Sequence, residues 1–180
     1  MKFDKRIVPN IFTFGNLCLG MLAIMLGVKD QELAGSILIL IATVLDRYDG
    51  IIARKLGVES DLGKELDSLS DLVSFGLAPS LLAWHLGLKD LNWIGIVIAL
   101  IFLSAGAYRL ARFNISPPPS SQNKVFTGVP ITVAGGLLSI YNIYIECANI
   151  VDKPNVEKFT IFFMLVLSYL MVSKLQIKKL

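Results

Sequence analysis

Hydrophobic positions fall in six long blocks, at about 8–28, 34–56, 62–87, 92–114, 127–149 and 157–174. Each is close to the roughly 20 helical residues needed to cross about 30 Å of hydrocarbon. None shows the period-two alternation over about 10 residues that marks a membrane-barrel strand. Short polar connections separate the blocks: "VKDQE", "GVES", "LKD", "SPPPSSQNK" and "DKPNVEK". The pattern predicts an all-α integral membrane protein with six transmembrane helices, forming one membrane domain over 1–180. The first block follows Lys2, Lys5 and Arg6 as a signal peptide would, but Pro9 and Asn10 interrupt it and five more blocks follow. It is therefore expected to be a retained helix.

Bulk chemistry agrees: the 180 residues are 54% hydrophobic and 17% charged, with a mean hydropathy of +0.67, values soluble domains rarely combine. Cys18 and Cys147 each sit inside an apolar block without metal-type spacing and are expected to be buried small hydrophobes. His85 is the sole histidine, which leaves no His-based metal site or Ser/His/Asp triad within one chain. The net charge of +3 conceals an asymmetry. Thirteen of the 17 Lys and Arg fall on the side of the N-terminus and four on the other, which places both termini in the cytoplasm of a multi-pass cell-membrane protein. This topology accounts for the basic residues without nucleic-acid binding. The run from Ser116 to Ser121, "SPPPSS", reads as a stiff loop.

One stretch breaks the apolar pattern. Between Val44 and Asp71 stand seven of the chain's 14 acids: Asp46, Asp49, Glu59, Asp61, Glu65, Asp67 and Asp71. At about 100° per residue, Asp46, Asp49, Gly50, Ala53 and Arg54 share one arc of their helix. Gly63, Asp67 and Asp71, spaced i, i+4 and i+8, share one face of the next. An antiparallel pair joined by the turn around Gly57 brings these faces together, so four aspartates converge near the cytoplasmic interface. Carboxylates at membrane level cost roughly 2.5 to 3.5 kcal/mol each on insertion scales, and in mutual contact they also repel. Arg54 alone cannot balance four. An oxygen-only donor set without His or Cys suits a hard divalent ion, Mg²⁺ or Mn²⁺, and two such ions would suit transfer of a phosphoryl-type group. Gly50, Ala53 and Gly63 leave room beside the acids for a ligand, or for close helix packing. Glu59, Asp61 and Glu65 read as solvated surface, with Ser60 or Asp61 able to N-cap the third helix.

The order Asp46-x-x-Asp49-Gly50-x-x-Ala53-Arg54-x8-Gly63-x3-Asp67-x3-Asp71 resembles the signature of the CDP-alcohol phosphatidyltransferase family, with every fixed position present. The resemblance implies that family's helical bundle and a membrane enzyme that splits a CDP-lipid at its diphosphate, releases CMP and joins the phosphatidyl group to an alcohol. It further implies that Asp46, Asp49, Asp67 and Asp71 hold the metal and that Asp71 is also the general base. Gly50, Ala53, Arg54 and Gly63 would shape the nucleotide-diphosphate pocket, and the chain would act as a homodimer. "PNIFTFGNLCLG", "YRLARFN" and "FTGVPIT" resemble the phosphatidylserine synthase branch, which implies CDP-diacylglycerol or CDP-archaeol as donor and L-serine as acceptor.

Outside the signature, Arg109 and Arg112 could bind the serine carboxylate or a lipid phosphate, or simply snorkel to the interface. Asn10, Thr13 and Asn16, at i, i+3 and i+6, form a polar stripe that could touch the cytidine or bond neighbouring helices. Two alternatives remain open on the sequence. One is a phosphorylated acceptor, glycerol 3-phosphate or inositol phosphate, served by Lys64, Arg109, Arg112 and Lys124. The other is a small ion transporter using intramembrane acids.

Overall fold

A computed structural model describes residues 7–57, 60–115, 125–148, 153–174 and 176–178, with backbone only at positions 7–9, 49, 52–54, 56, 125–127, 153 and 176–178. Six helical spans make up the described fold: α1 (Ile7–Gly27), α2 (Glu32–Leu56), α3 (Asp61–Leu91), α4 (Trp93–Ile115), α5 (Ile131–Ala148) and α6 (Lys153–Val172). Five are long and apolar enough to cross a membrane. The remaining one, α2, has 25 residues, about 37 Å of helix, but carries the charged positions Asp46, Arg47, Asp49, Arg54 and Lys55 in its second half. The loop 116–121 lies outside the described residues.

The membrane pattern is clearest on α1. Ile11, Phe14, Cys18, Met21 and Met25 form an exposed stripe, while Thr13, Asn16, Gly20, Ala23 and Gly27 form the buried one. Small and polar residues face protein and large apolar ones face out, as expected where the surroundings are as apolar as leucine. The expectation of buried cysteines is therefore corrected: Cys18 and Cys147 are both exposed, because a thiol needs no shelter from hydrocarbon.

The central rod is α3, with 61% of its best apolar window buried against 28 to 44% for the other four apolar spans. Its path is not uniform α-helix. Ser60 caps its start by accepting from Gly63 N–H at 3.1 Å, which selects Ser60 over Asp61 as the cap, and Asp61 instead pairs with Lys64 at the surface. Widened π-type turns follow at Leu72–Leu77 and again at Trp84–Leu88. Pro79 explains the first: it has no N–H for the Phe75 carbonyl and its ring crowds that turn. The released carbonyl lies against Gly135 of α5, where a Cβ would sit 2.8 Å from Phe75 Cα. Phe75, Leu82, Phe102, Leu138, Met164 and Met171, contributed by α3 to α6, form the dry core.

The fifth span begins later than expected. Residues 127–130 are not helical: Val125–Thr127 is a short strand (β1) paired antiparallel with Gln176–Lys178 (β2), and Gly128 at φ +78° with Pro130 ends it before α5 begins at Ile131. The sixth span begins earlier than expected, at Lys153, with Pro154 admitted in its first turn.

Close approach of α1 to α3 is built on Gly20, where an added Cβ would lie 2.8 Å from Ser74 Cα. Gly20→Val should therefore push α1 off α3 and cost about 1 to 3 kcal/mol, read as a lowered thermal midpoint in detergent; an unchanged midpoint would show that the contact is dispensable.

Candidate active site

The α2–α3 turn brings the two acidic faces together. It reverses at Gly57, whose φ of +63° is left-handed. Ligating oxygens of Asp46, Asp67 and Asp71 then lie within 4.8 Å of one another. Asp71 is buried at 7% exposure, and its carboxyl is within hydrogen-bonding reach of Asp46. The site is recessed: Asp71 stands ten residues into α3, about 15 Å along the helix. Asp49, Ala53 and Arg54 are on the helical backbone of α2, but their side chains lie outside the described residues. Gly50 is half-buried on the same helix.

Two neighbouring helices complete the surroundings. From α1, Asn16 Nδ2 donates to Asp71 Oδ1 at 3.4 Å. Ser70 Oγ donates to the Thr13 carbonyl at 3.0 Å and Ser74 Oγ to the Asn16 carbonyl at 2.9 Å. Thr13 is buried, and Asn10 is half-buried with its Oδ1 4.0 Å from where a Gly63 Cβ would be. The first helix thus lies directly on the acidic face of α3. From α4, Arg109 is buried at 9% exposure and is attracted by both Asp71 and Asp46, with its guanidinium 5.5 Å from the Phe113 ring centre.

Arg112 goes elsewhere. Its guanidinium donates to the carbonyls of Val172 at 2.9 Å and of Met171 and Ser173 at 3.4 Å, and it stacks over Tyr108. It closes the C-terminus of α6, where orphan carbonyls and the negative end of the helix dipole favour a cation. Glu65, expected as solvated surface, accepts from Asn114 Nδ2 at 3.3 Å and so ties α3 to α4 at an exposed position. Ser70 and Ser74 were not anticipated. Their signal was a polar stripe, Asp67, Ser70, Asp71 and Ser74, running at helical spacing into an apolar span.

Donor chemistry decides what the cluster can hold. Three carboxylates this close repel unless they share protons or a cation, and the set contains oxygen only. That fits a hard divalent cation. A second group gathers near the opposite end of α2: Asp30, Glu32 and His85 also place ligand atoms within 4.8 Å of one another. The sole histidine thus has acidic partners, against the expectation that it could build no such group. Here Lys89 Nζ stands 3.0 Å from His85 Nε2 and His85 Nδ1 bonds Glu32, so the group carries its own positive charge.

Comparison with known proteins follows the same residues. The sequence profile described as CDP-alcohol phosphatidyltransferase matches residues 6–176. The chain belongs to the CDP-alcohol phosphatidyltransferase family. Among its relatives, a CDP-diacylglycerol–serine O-phosphatidyltransferase of Bacillus subtilis is 42% identical over 74% of this chain and 73% of its own length. A protein of the same name from Helicobacter pylori is 35% identical over 94% of this chain and 71% of its own. An archaetidylserine synthase of Methanothermobacter thermautotrophicus is 33% identical over 98% and 73%.

The two arginines should separate cleanly in this family's reaction. Arg112→Ala, by uncapping α6, should cost about 1 to 3 kcal/mol of stability and leave CMP release in the surviving protein largely intact. Arg109→Ala should cut CMP release at least tenfold, the scale of a lost charge-assisted contact, while its thermal midpoint moves less. Equal effects of the two substitutions on turnover would refute the division.

Proposed function

We propose that this protein transfers a phosphatidyl-type group from CDP-diacylglycerol or CDP-archaeol to the hydroxyl of L-serine, releasing CMP and forming phosphatidylserine or its ether analogue. The observation that carries the reading is the convergence of Asp46, Asp67 and Asp71 in a membrane bundle whose relatives are named for serine transfer.

The reaction needs four things from the protein. Asp71, buried and oriented by Asn16, takes the proton from the acceptor hydroxyl as general base. The oxygen so activated forms a bond to the lipid-bearing phosphorus while the bond from that phosphorus to CMP's oxygen breaks, and CMP leaves with the electron pair. Asp46, Asp67 and Asp71, with Asp49 as the fourth member of the motif, would hold Mg²⁺ or Mn²⁺ in a two-metal site. Such ions neutralise the diphosphate and stabilise CMP as it leaves. Gly50, Ala53, Arg54 and Gly63, with Asn10 and Thr13 from α1, are assigned to the CDP-lipid pocket. Arg109 is assigned to the serine carboxylate, which a guanidinium matches by charge-assisted bonds.

The cation supply favours serine over a phosphorylated alcohol. Of the four cations that could serve a phosphate, Lys64 is exposed beside Asp61 and Arg112 is engaged with α6. Lys124 lies outside the described residues, and Arg109 is the one at the carboxylates. The Lys/Arg asymmetry supports a cytoplasmic position for the site and both termini. The reading takes positions 1–180 as one domain that works as a homodimer.

Purified protein with Mg²⁺ or Mn²⁺ should release CMP from CDP-diacylglycerol when L-serine is supplied, and not with glycerol 3-phosphate, inositol, inositol phosphate or choline. Chelation should abolish turnover and the divalent ion should restore it. Asp71→Asn should lower turnover by about 10²- to 10⁴-fold, the usual worth of a general base. Full turnover in that variant would remove Asp71 from its role, and CMP release with another alcohol of the panel would reassign the acceptor.

A further inference from the structure

Asn16 is fully buried in the middle of α1. Its backbone is fixed by Ser74 Oγ on its own carbonyl, and one turn earlier by Ser70 Oγ on the Thr13 carbonyl. Its side-chain Nδ2 donates to Asp71 Oδ1. An ionised carboxylate can only accept, so this contact fixes which end of the amide is which. The other end, Asn16 Oδ1, is buried and has no hydrogen-bond partner among the described residues. An unsatisfied buried acceptor is destabilising and uncommon. This one sits a single amide group away from the carboxylate assigned as base.

We propose that Asn16 Oδ1 is the contact for the acceptor's ammonium group, and so a specificity-determining residue; the proposal rests on the serine-transfer reading above. L-Serine offers three polar groups. Its hydroxyl goes to Asp71 and its carboxylate to Arg109, whose guanidinium is attracted by Asp71. That leaves the ammonium, which can only donate, for an oxygen that can only accept. A neutral carboxamide suits this place better than another carboxylate would, because a further negative charge beside Asp71 would add to the repulsion already present there. Glycerol 3-phosphate and inositol have no ammonium and would leave Asn16 Oδ1 unsatisfied, which is how a polar site rejects an analogue lacking the matching group.

The test is steady-state CMP release by the full-length protein in lipid–detergent micelles, with L-serine, CDP-diacylglycerol and Mn²⁺ varied in turn. Serine-dependent release by the unsubstituted protein establishes the underlying reading, and its absence removes both. Given that release, Asn16→Ala should raise the KM for L-serine by about ten- to a hundredfold, the worth of a hydrogen bond to a charged group. The KM for CDP-diacylglycerol should move less than that for L-serine, and kcat should fall as well because the same substitution removes the Nδ2 donor from Asp71. Competitive inhibition by glycerate, which keeps the hydroxyl and carboxylate but lacks the ammonium, should be unaffected. Asn16→Ser, which retains a smaller oxygen, should fall between the two and carries the test where the alanine variant does not fold. A serine KM that stays put while kcat alone falls would overturn the proposal, as would equal weakening of glycerate. A shift in Mn²⁺ half-saturation larger than that in the serine KM would overturn it as well.

Discussion

Mutual repulsion of carboxylates held inside a membrane bundle is the constraint on which the rest of this structure depends. Three of them place oxygens within 4.8 Å of one another, in surroundings where each charge is already expensive. A bundle can hold such a cluster only if its frame is rigid and a counter-charge is at hand. The frame is the α2–α3 pair, reversed at Gly57 and started again by the Ser60 cap. Arg109 supplies counter-charge on one side, and the oxygen-only donor set suits a divalent cation for the rest.

The two serines of α3 show how the frame is kept stiff without adding charge. In hydrocarbon, helices gain nothing from excluding water from one another, so packing and interhelical hydrogen bonds must hold them. Ser70 and Ser74 each donate to a carbonyl of α1, and Gly20 removes the side chain that would keep the backbones apart. Downstream, the π-type turn at Leu72–Leu77 lets the same rod turn from an acidic face to the apolar face of Phe75, Ala78 and Leu82. Proline supplies the break and a glycine on α5 fills the space beside the freed carbonyl. The polar and the dry parts of the protein are thus two segments of one helix.

Much of this was legible in the sequence because the bilayer imposes it. Six apolar blocks give six helices, and i, i+4, i+8 spacing gives a shared face for Gly63, Asp67 and Asp71, wherever the neighbouring helices sit. Less local features were hidden. The start of α5 was misplaced because residues 125–127 look apolar, and only their pairing with 176–178 shows that they form a strand. Arg109 and Arg112 are three residues apart and look alike in sequence. One turns to the aspartates and the other to the carbonyls of α6, a choice made by the position of α6, which no local pattern encodes. Exposure of the cysteines was misjudged for a different reason: the rule that thiols are buried comes from proteins in water.

Asn16 belongs to both the frame and the acidic cluster. In sequence it is one member of a polar stripe on an apolar helix, and such residues often serve only to bond neighbouring helices. Its nitrogen does so, but the oxygen on the same carbon does not. Half-used amides occur elsewhere in the core, as at Asn142, whose Nδ2 donates to the Pro79 carbonyl while its Oδ1 is likewise unpartnered among the described residues; Asn16 differs in bonding a carboxylate of the acidic cluster. Its place beside Asp71, and not the unused oxygen alone, is what sets Asn16 apart from a residue that only holds the fold.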